Sequence, residues 1–219
     1  MSTALHRKEH LYLWLVGVFV AALLTADLIG GRFFRLAGRD LSAGMLAFPL
    51  TFLLTDVVNE FYGAQATRRL TFVGLGAAVF AFAVINVALA LPVSPESPLS
   101  DEAFRATFGW SNRLYVASLT AYLAGQLLDI AVFSGLRRLT RHKLLWLRAT
   151  GSTLVSQGID TLMVNFVLLG GFKSTSFIMD VARDSYVLKI LIALALTPLV
   201  YLVHAFVGRV LKVDERPLP

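Results

Sequence analysis

Cysteine is absent from the 219 residues. That excludes disulfides, thiolate metal sites and thiol catalysis. Also missing are a phosphate-binding glycine loop, a His-rich metal motif and a Gly-x-Ser-x-Gly elbow. The chain therefore encodes no ATP-hydrolysing subunit, calls for no cofactor, and carries no metal or nucleophile signature of an enzyme. No fixed-period repeat runs through it, and its one biased tract is the short loop with Pro92, Pro95 and Pro98. What it has in excess is hydrocarbon: 57% of residues are hydrophobic, against roughly 45–50% for a soluble domain.

The excess collects in blocks of about 20 residues, the length that crosses ~30 Å of lipid. The expectation is an all-α polytopic membrane bundle, one transmembrane domain over 1–219, in contact with the bilayer. Six spans are expected, at about 11–30, 45–62, 70–91, 114–134, 152–171 and 186–207. The first follows His6, Arg7, Lys8 and His10 like a signal-peptide leader, but it lacks a clear cleavage site and reads as a retained span. The intervening segments 31–44, 63–69, 92–113 and 135–150 read as polar or basic connections, with Gly30-Gly31 and Gly170-Gly171 as loop punctuation.

The formal net charge of +6 does not point to nucleic acid, because Lys and Arg sit in short loops, where they set topology. With the N-terminus inside, the inner segments 1–10, 63–69, 135–150 and 208–219 hold 12 basic residues and the outer ones hold 7. Both termini are expected in the cytoplasm.

One block breaks its own hydropathy. Phe48-Pro-Leu-Thr-Phe-Leu-Leu-Thr-Asp-Val-Val-Asn-Glu-Phe-Tyr-Gly63 carries Asp56, Asn59 and Glu60 at i, i+3 and i+4, on one side of a helix. In span four, Tyr115, Ser118, Tyr122, Gly125, Gln126 and Asp129 fall within about 100° of arc. In span five, Ser152, Ser156 and Asp160 recur every four residues beside Thr153, Gln157 and Thr161. Lipid satisfies none of these groups, so the three stripes should face one another across a shared polar cavity. Arg148, just ahead of span five, offers a compensating charge.

The bland alternative is polar glue between helices, which suffices for Ser118, Ser152 or Thr161 taken singly. Asp27 reads as interfacial or paired with Arg32, Lys189 as a snorkelling lysine, and His204 as interfacial. Ala22 and Ala26 make a small-x-x-x-small pattern suited to packing a neighbouring helix or a partner. Several carboxylates inside apolar blocks, at about 2.5–3.5 kcal/mol each on insertion scales, argue instead for a site. Carboxylates recognise cations or paired N–H donors, Asn and Gln read a carbonyl or ring nitrogen, and Phe48 and Phe52 are candidates to stack a planar solute. Carboxylates that change protonation could also couple transport to protons.

The 48–63 run closely resembles the hallmark of the queuosine precursor transporter family, also described as vitamin-uptake-transporter-like membrane proteins. Gln126-Leu-Leu-Asp-Ile-Ala-Val-Phe133, Leu144-Leu-Trp-Leu-Arg-Ala-Thr-Gly-Ser-Thr153 and Ser156-Gln-Gly-Ile-Asp-Thr161 look like its other blocks, in the right order. The resemblance implies a bacterial inner-membrane importer of 7-deazapurines, the cyano and aminomethyl precursors of queuosine. It also implies a six-helix fold similar to the substrate-binding subunits of energy-coupling-factor transporters. On that footing Glu60 or Asp160 grips the guanine-like edge, and Asn59 and Gln157 read the carbonyl and ring nitrogen. Asp56 and Asp129 shape the cavity or carry a proton. Arg148, Ser152 and Thr153 position them, and Phe52 and Gln126 complete the pocket. Two assemblies stay open, a self-sufficient transporter (monomer or homo-oligomer) and a binding subunit served by a separate ATPase module. A membrane enzyme using the carboxylates as acid and base is the disfavoured third reading.

Overall fold

The computed structural model describes residues 2–30, 32–36, 39–109, 112–141 and 143–210. Gly31, Trp110 and the basic tail beyond Val210 lie outside the described residues, as does the side chain of Tyr115. The chain is a membrane helical bundle. Helix α1 spans Ser2–Ile29, α2 Phe48–Ala90, α3 Asp101–Phe108, α4 Asn112–Leu139, α5 Leu145–Leu169 and α6 Thr175–Val210. Helices α1, α2, α4 and α6 each contain a stretch long and apolar enough to cross a membrane. Helix α5, with 25 residues, has the length but carries one of the polar stripes. Phe72, Phe80, Val84, Val87, Leu191 and Leu202 are exposed, as lipid-facing side chains should be.

Helix α2 opens with Pro49 in its first turn, where the missing N–H costs nothing. It is broken at Gly63 (φ 81°, ψ 172°), a conformation essentially closed to residues with a Cβ. The break reverses the chain. Near the start of α1, Tyr12 donates its hydroxyl to Ala66 O (2.9 Å) and lies 5.2 Å from the Tyr62 ring. Tyr62 in turn donates to Lys8 O (2.8 Å). Toward the other end of α1, Leu23 and Ala26 share a cavity with Phe48 and Phe52 before the break and with Ala78 after it. Both arms of α2 therefore run beside α1 from the same end.

Several connections differ from expectation. Segment 31–44 contains an antiparallel hairpin, β1 (Phe33–Leu36) against β2 (Arg39–Ser42), pairing Phe33 with Ser42 and Leu36 with Arg39, and then a 3₁₀ turn, Ala43–Leu46. Residues 64–69 are helix rather than loop. The 92–113 connection holds α3, whose N-terminus is capped by the Ser100 hydroxyl accepting from Ala103 N (3.1 Å). The basic 135–150 connection is mostly helix, since α4 runs to Leu139 and α5 begins at Leu145. Arg137 and Arg148, counted above as loop charges, are therefore helical, and both are buried. The glycine at 171 does take a turn conformation (φ 82°), and Ala22 and Ala26 are buried within the chain itself.

The first arm of α2 packs against α4 and α6, and α5 lies between α4 and α6. The three polar stripes thus meet.

Candidate functional site

Local bonds settle part of the polar load. Thr51 and Thr55 return their hydroxyls to Phe48 O (2.7 Å) and Phe52 O (2.9 Å) on the turn behind. Ser152 does the same to Ala149 O (3.2 Å). Such back-bonding lets a hydroxyl sit in an apolar bundle without any partner from outside. Ser156 reaches further, donating to Asp129 Oδ1 on α4 (3.1 Å).

Glu60 is closed off. Arg148 Nε and Nη2 donate to its two oxygens at 3.0 and 2.5 Å, a bidentate fork. Arg148 Nη1 is held by Lys143 O (3.1 Å), and its guanidinium lies 5.9 Å over the Phe133 ring. Arg137 adds Nε at 3.8 Å from Glu60 and donates Nη1 to Asn59 O (3.0 Å). His204 Nε2 stands 4.0 Å from Glu60 beside the Phe61 ring. The Glu60 and Arg148 side chains are each only 2% exposed. A pair this dry has its desolvation offset by its own fork of hydrogen bonds. It sits at the same end of the bundle as Lys8 and Ala66.

Two cavities lie beyond this cluster. The larger, about 750 Å³, runs between the first arm of α2, α5 and α6. It extends from Thr150 and Val200 near the Glu60 cluster to Asp184 at the opposite end, whose side chain is exposed. Asp56, Thr153, Gln157, Thr161 and Asn165 contribute to its polar lining, joined by Ser185, Lys189 and Thr197 on α6, and Phe48, Phe52 and several aliphatic side chains line most of the rest. Asp56 is 5% exposed and its Oδ1 has no hydrogen-bond partner; neither has Thr161 Oγ1. Buried polar atoms left this way are costly in a bundle interior, and here both belong to residues lining one cavity.

The smaller cavity, about 260 Å³, is bounded by α1, both arms of α2, α4 and α5, with Lys189 of α6 at its edge. Asp27, Ser118, Tyr122, Gln126 and Asp160 line it, and Gln126 Oε1 lacks a partner. Phe48, Phe52, Gln157, Val164 and Lys189 border both cavities and form the partition between them. Lys189 Nζ is bonded to Asp160 Oδ2 at 2.7 Å.

Of the residues singled out from sequence, Phe52, Asp56, Gln126, Thr153, Gln157 and Asp160 line a cavity. Asn59, Glu60, Asp129, Arg148 and Ser152 line neither and build the packed polar layer beside it. Lys189 does not simply snorkel, since it pairs with Asp160. His204 is drawn to Glu60, and Asp27 borders the smaller cavity. Sequence reasoning missed Arg137, Lys189 and Asn165 as members of the site, and placed Thr161 on the span-five stripe without counting it among the binding residues. Arg137 had a signal: at 100° per residue it extends the α4 stripe about 20° beyond Gln126. Lys189 had one too, as a lysine facing an excess of intramembrane carboxylates. Among the described residues no group of three or more His, Asp or Glu is placed to hold a metal ion.

Residues 42–203 match the family model described as "Putative vitamin uptake transporter". A Bacillus subtilis protein named "Probable queuosine precursor transporter" is 31% identical over 196 residues, covering 89% of this chain and 83% of that protein. An Escherichia coli "Queuosine precursor transporter" is 31% identical over 158 residues, 69% of this chain and 66% of its own length. A Haemophilus influenzae "Probable queuosine precursor transporter" is 34% identical over 119 residues, 54% of this chain and 47% of its own. No solved structure matches this chain, so the likeness to energy-coupling-factor subunits rests on sequence resemblance alone.

Proposed function

Because the chain belongs to the queuosine precursor transporter family, we propose that it imports 7-deazapurine precursors of queuosine through the larger cavity, with Asp56 as the recognising carboxylate. The observation that carries this is the unpartnered Asp56 Oδ1 in a cavity of about 750 Å³, a volume within the ~300–1,000 Å³ usual for small-molecule sites. A 7-deazaguanine presents an N1–H and an exocyclic amine side by side, and a carboxylate accepts such a pair. Gln157 and Asn165 offer amide donors to the carbonyl, Thr161 a hydroxyl, and Phe52 a ring face for the flat heterocycle. Glu60 is left out of the contact because Arg148 occupies both its oxygens.

Counting the two arms of α2 separately and α5 as a span gives six crossings, an even number that supports both termini on one face. With Arg137 and Arg148 set aside as buried, ten basic residues remain in the inner segments against seven in the outer, which supports cytoplasmic termini in a bacterial inner membrane. In this orientation the Glu60–Arg148 layer closes the cytoplasmic end and the larger cavity opens toward Asp184 outside. The test is uptake of labelled 7-cyano-7-deazaguanine by cells unable to make it, expressing the wild type or Asp56→Asn. Wild-type uptake lost in the variant is expected. Correctly inserted wild type that confers no uptake refutes the substrate class, and normal uptake by the variant refutes the role of Asp56. Uptake into liposomes holding this chain alone establishes that no ATPase module is required.

A further inference from the structure

The bundle holds two interhelical ion pairs of different character. Glu60–Arg148 is sealed, with both side chains 2% exposed. Asp160–Lys189 is joined by one bond of 2.7 Å and its side chains are 20% and 31% exposed. It lies in the partition, with Lys189 bordering both cavities and Asp160 the smaller one. Gly125 on α4 leaves room at this point, since a Cβ there would stand 3.4 Å from Asp160 Cβ. A pair that is singly bonded and borders two cavities is easier to open than one held by a fork in a dry layer.

Resting on the substrate reading above, we propose that Asp160 and Lys189 are the proton-coupling site of this transporter. A proton arriving through the cavities bonds to the Asp160 carboxylate and displaces Lys189 Nζ. Lys189 keeps its own charge and turns into the larger cavity, where its ammonium donates to the carbonyl of the bound heterocycle. Loss of the proton restores the Asp160–Lys189 bond and withdraws the donor from the substrate. Proton and substrate therefore bind together, which is the thermodynamic condition for symport. Two features of the surround fit an ammonium that changes partners. Asp56 Oδ1 in the larger cavity and Gln126 Oε1 in the smaller are buried acceptors without partners, and both belong to cavities that Lys189 borders. The other ionisable groups around the pair are Asp27 on α1, Asp56 on α2, Tyr122 and Asp129 on α4, and Asp184 and Tyr186 on α6. Four of these are engaged elsewhere: Asp129 accepts from Ser156, Tyr186 donates to Leu154 O (2.8 Å), Tyr122 donates to Thr71 O (3.1 Å), and Asp184 lies 3.7 Å from Arg183 Nη2.

The experiment is binding of 7-cyano-7-deazaguanine to the purified full chain across about pH 6 to 8, with the wild type, Asp160→Asn, Lys189→Gln and Asp27→Asn. Wild-type affinity should rise as pH falls, approaching tenfold per pH unit where one proton is taken up with the ligand. Asp160→Asn mimics the protonated carboxyl and should bind at the acid-side affinity with no slope. Lys189→Gln should bind weakly at every pH, and Asp27→Asn should keep the wild-type slope. Wild-type binding that does not vary with pH, a slope surviving in Asp160→Asn, or a slope lost in Asp27→Asn overturns the coupling site while leaving the substrate reading intact. Absence of binding in Asp160→Asn alone also overturns it, because Asp160 would then be a direct substrate contact. Wild type that binds nothing at any pH removes the substrate reading itself, and this proposal with it.

Discussion

Asp56 and Glu60 lie four residues apart on one helix face, are both carboxylates and are both buried, yet they do opposite work. Glu60 is enclosed by Arg148 and Arg137, its lone pairs engaged by its own protein. Asp56 keeps an oxygen without a partner on the wall of a cavity. Glu60 is a saturated charge that ties α2 to α5; Asp56 is an unsaturated one on a cavity wall. Intramembrane carboxylates thus divide by their partners, although their sequence setting is the same.

The strongest way to break that contrast is to unpair the sealed charge. Glu60→Gln or Arg148→Met alone leaves the opposite charge buried without its fork, and should cost about 3–5 kcal/mol of stability. Thermal unfolding of detergent-purified protein reads this directly. The double variant should recover part of the loss, because it leaves Arg137 but removes the central pair. If both single variants melt like the wild type, Glu60 does not fasten the helices.

Asp56→Asn should show the reverse profile. Stability should hold or rise, since a charge with an unmet oxygen leaves the interior. Affinity for 7-cyano-7-deazaguanine should fall about 10- to 100-fold, the scale of a hydrogen bond to an ionised group. A marked drop in melting temperature with affinity intact would collapse the distinction between the two residues.

The smallest expected effect is at Thr161. Thr161→Val removes a hydroxyl that has no partner within the chain and preserves shape. It should leave the melting temperature unchanged or slightly raised and weaken binding a few-fold, consistent with about 0.5–1.5 kcal/mol for a neutral hydrogen bond. A titration and a melting curve on one preparation suffice; a destabilised protein with unaltered affinity would assign Thr161 to packing instead.

Much of the architecture was legible because bilayer thickness quantises the apolar blocks and lipid forces polar groups inward. Helical spacing put Asp56, Gln126, Gln157 and Asp160 on inward stripes, but one shared cavity was expected, and the structure divides them: Asp56 lines the larger cavity, Gln126 and Asp160 the smaller, and Gln157 both. The division of labour was not legible. Nothing in the spacing of Glu60 shows that a guanidinium 88 positions away takes both its oxygens. Charge patterning misled at Arg137, because a base near a span end looks the same whether it faces lipid headgroups or turns inward onto a carboxylate; Arg148 was read as compensating the carboxylates, but not as sealing Glu60 in particular. The hairpin at 33–42 was missed because it lies in a short connection with no apolar block of its own.

The break at Gly63 has a mechanical consequence. At 1.5 Å rise per residue, Phe48 stands about 22 Å from that point along the first arm, Asp56 about 10 Å and Glu60 about 4.5 Å. A tilt of about 10° pivoting at Gly63 would sweep Phe48 by ~4 Å, Asp56 by ~2 Å and Glu60 by less than ~1 Å. The arm is a lever with its fastener at the fulcrum: such a tilt would carry the aromatic partition furthest while barely stretching the Arg148 fork, and Asp56 would travel about half as far as Phe48.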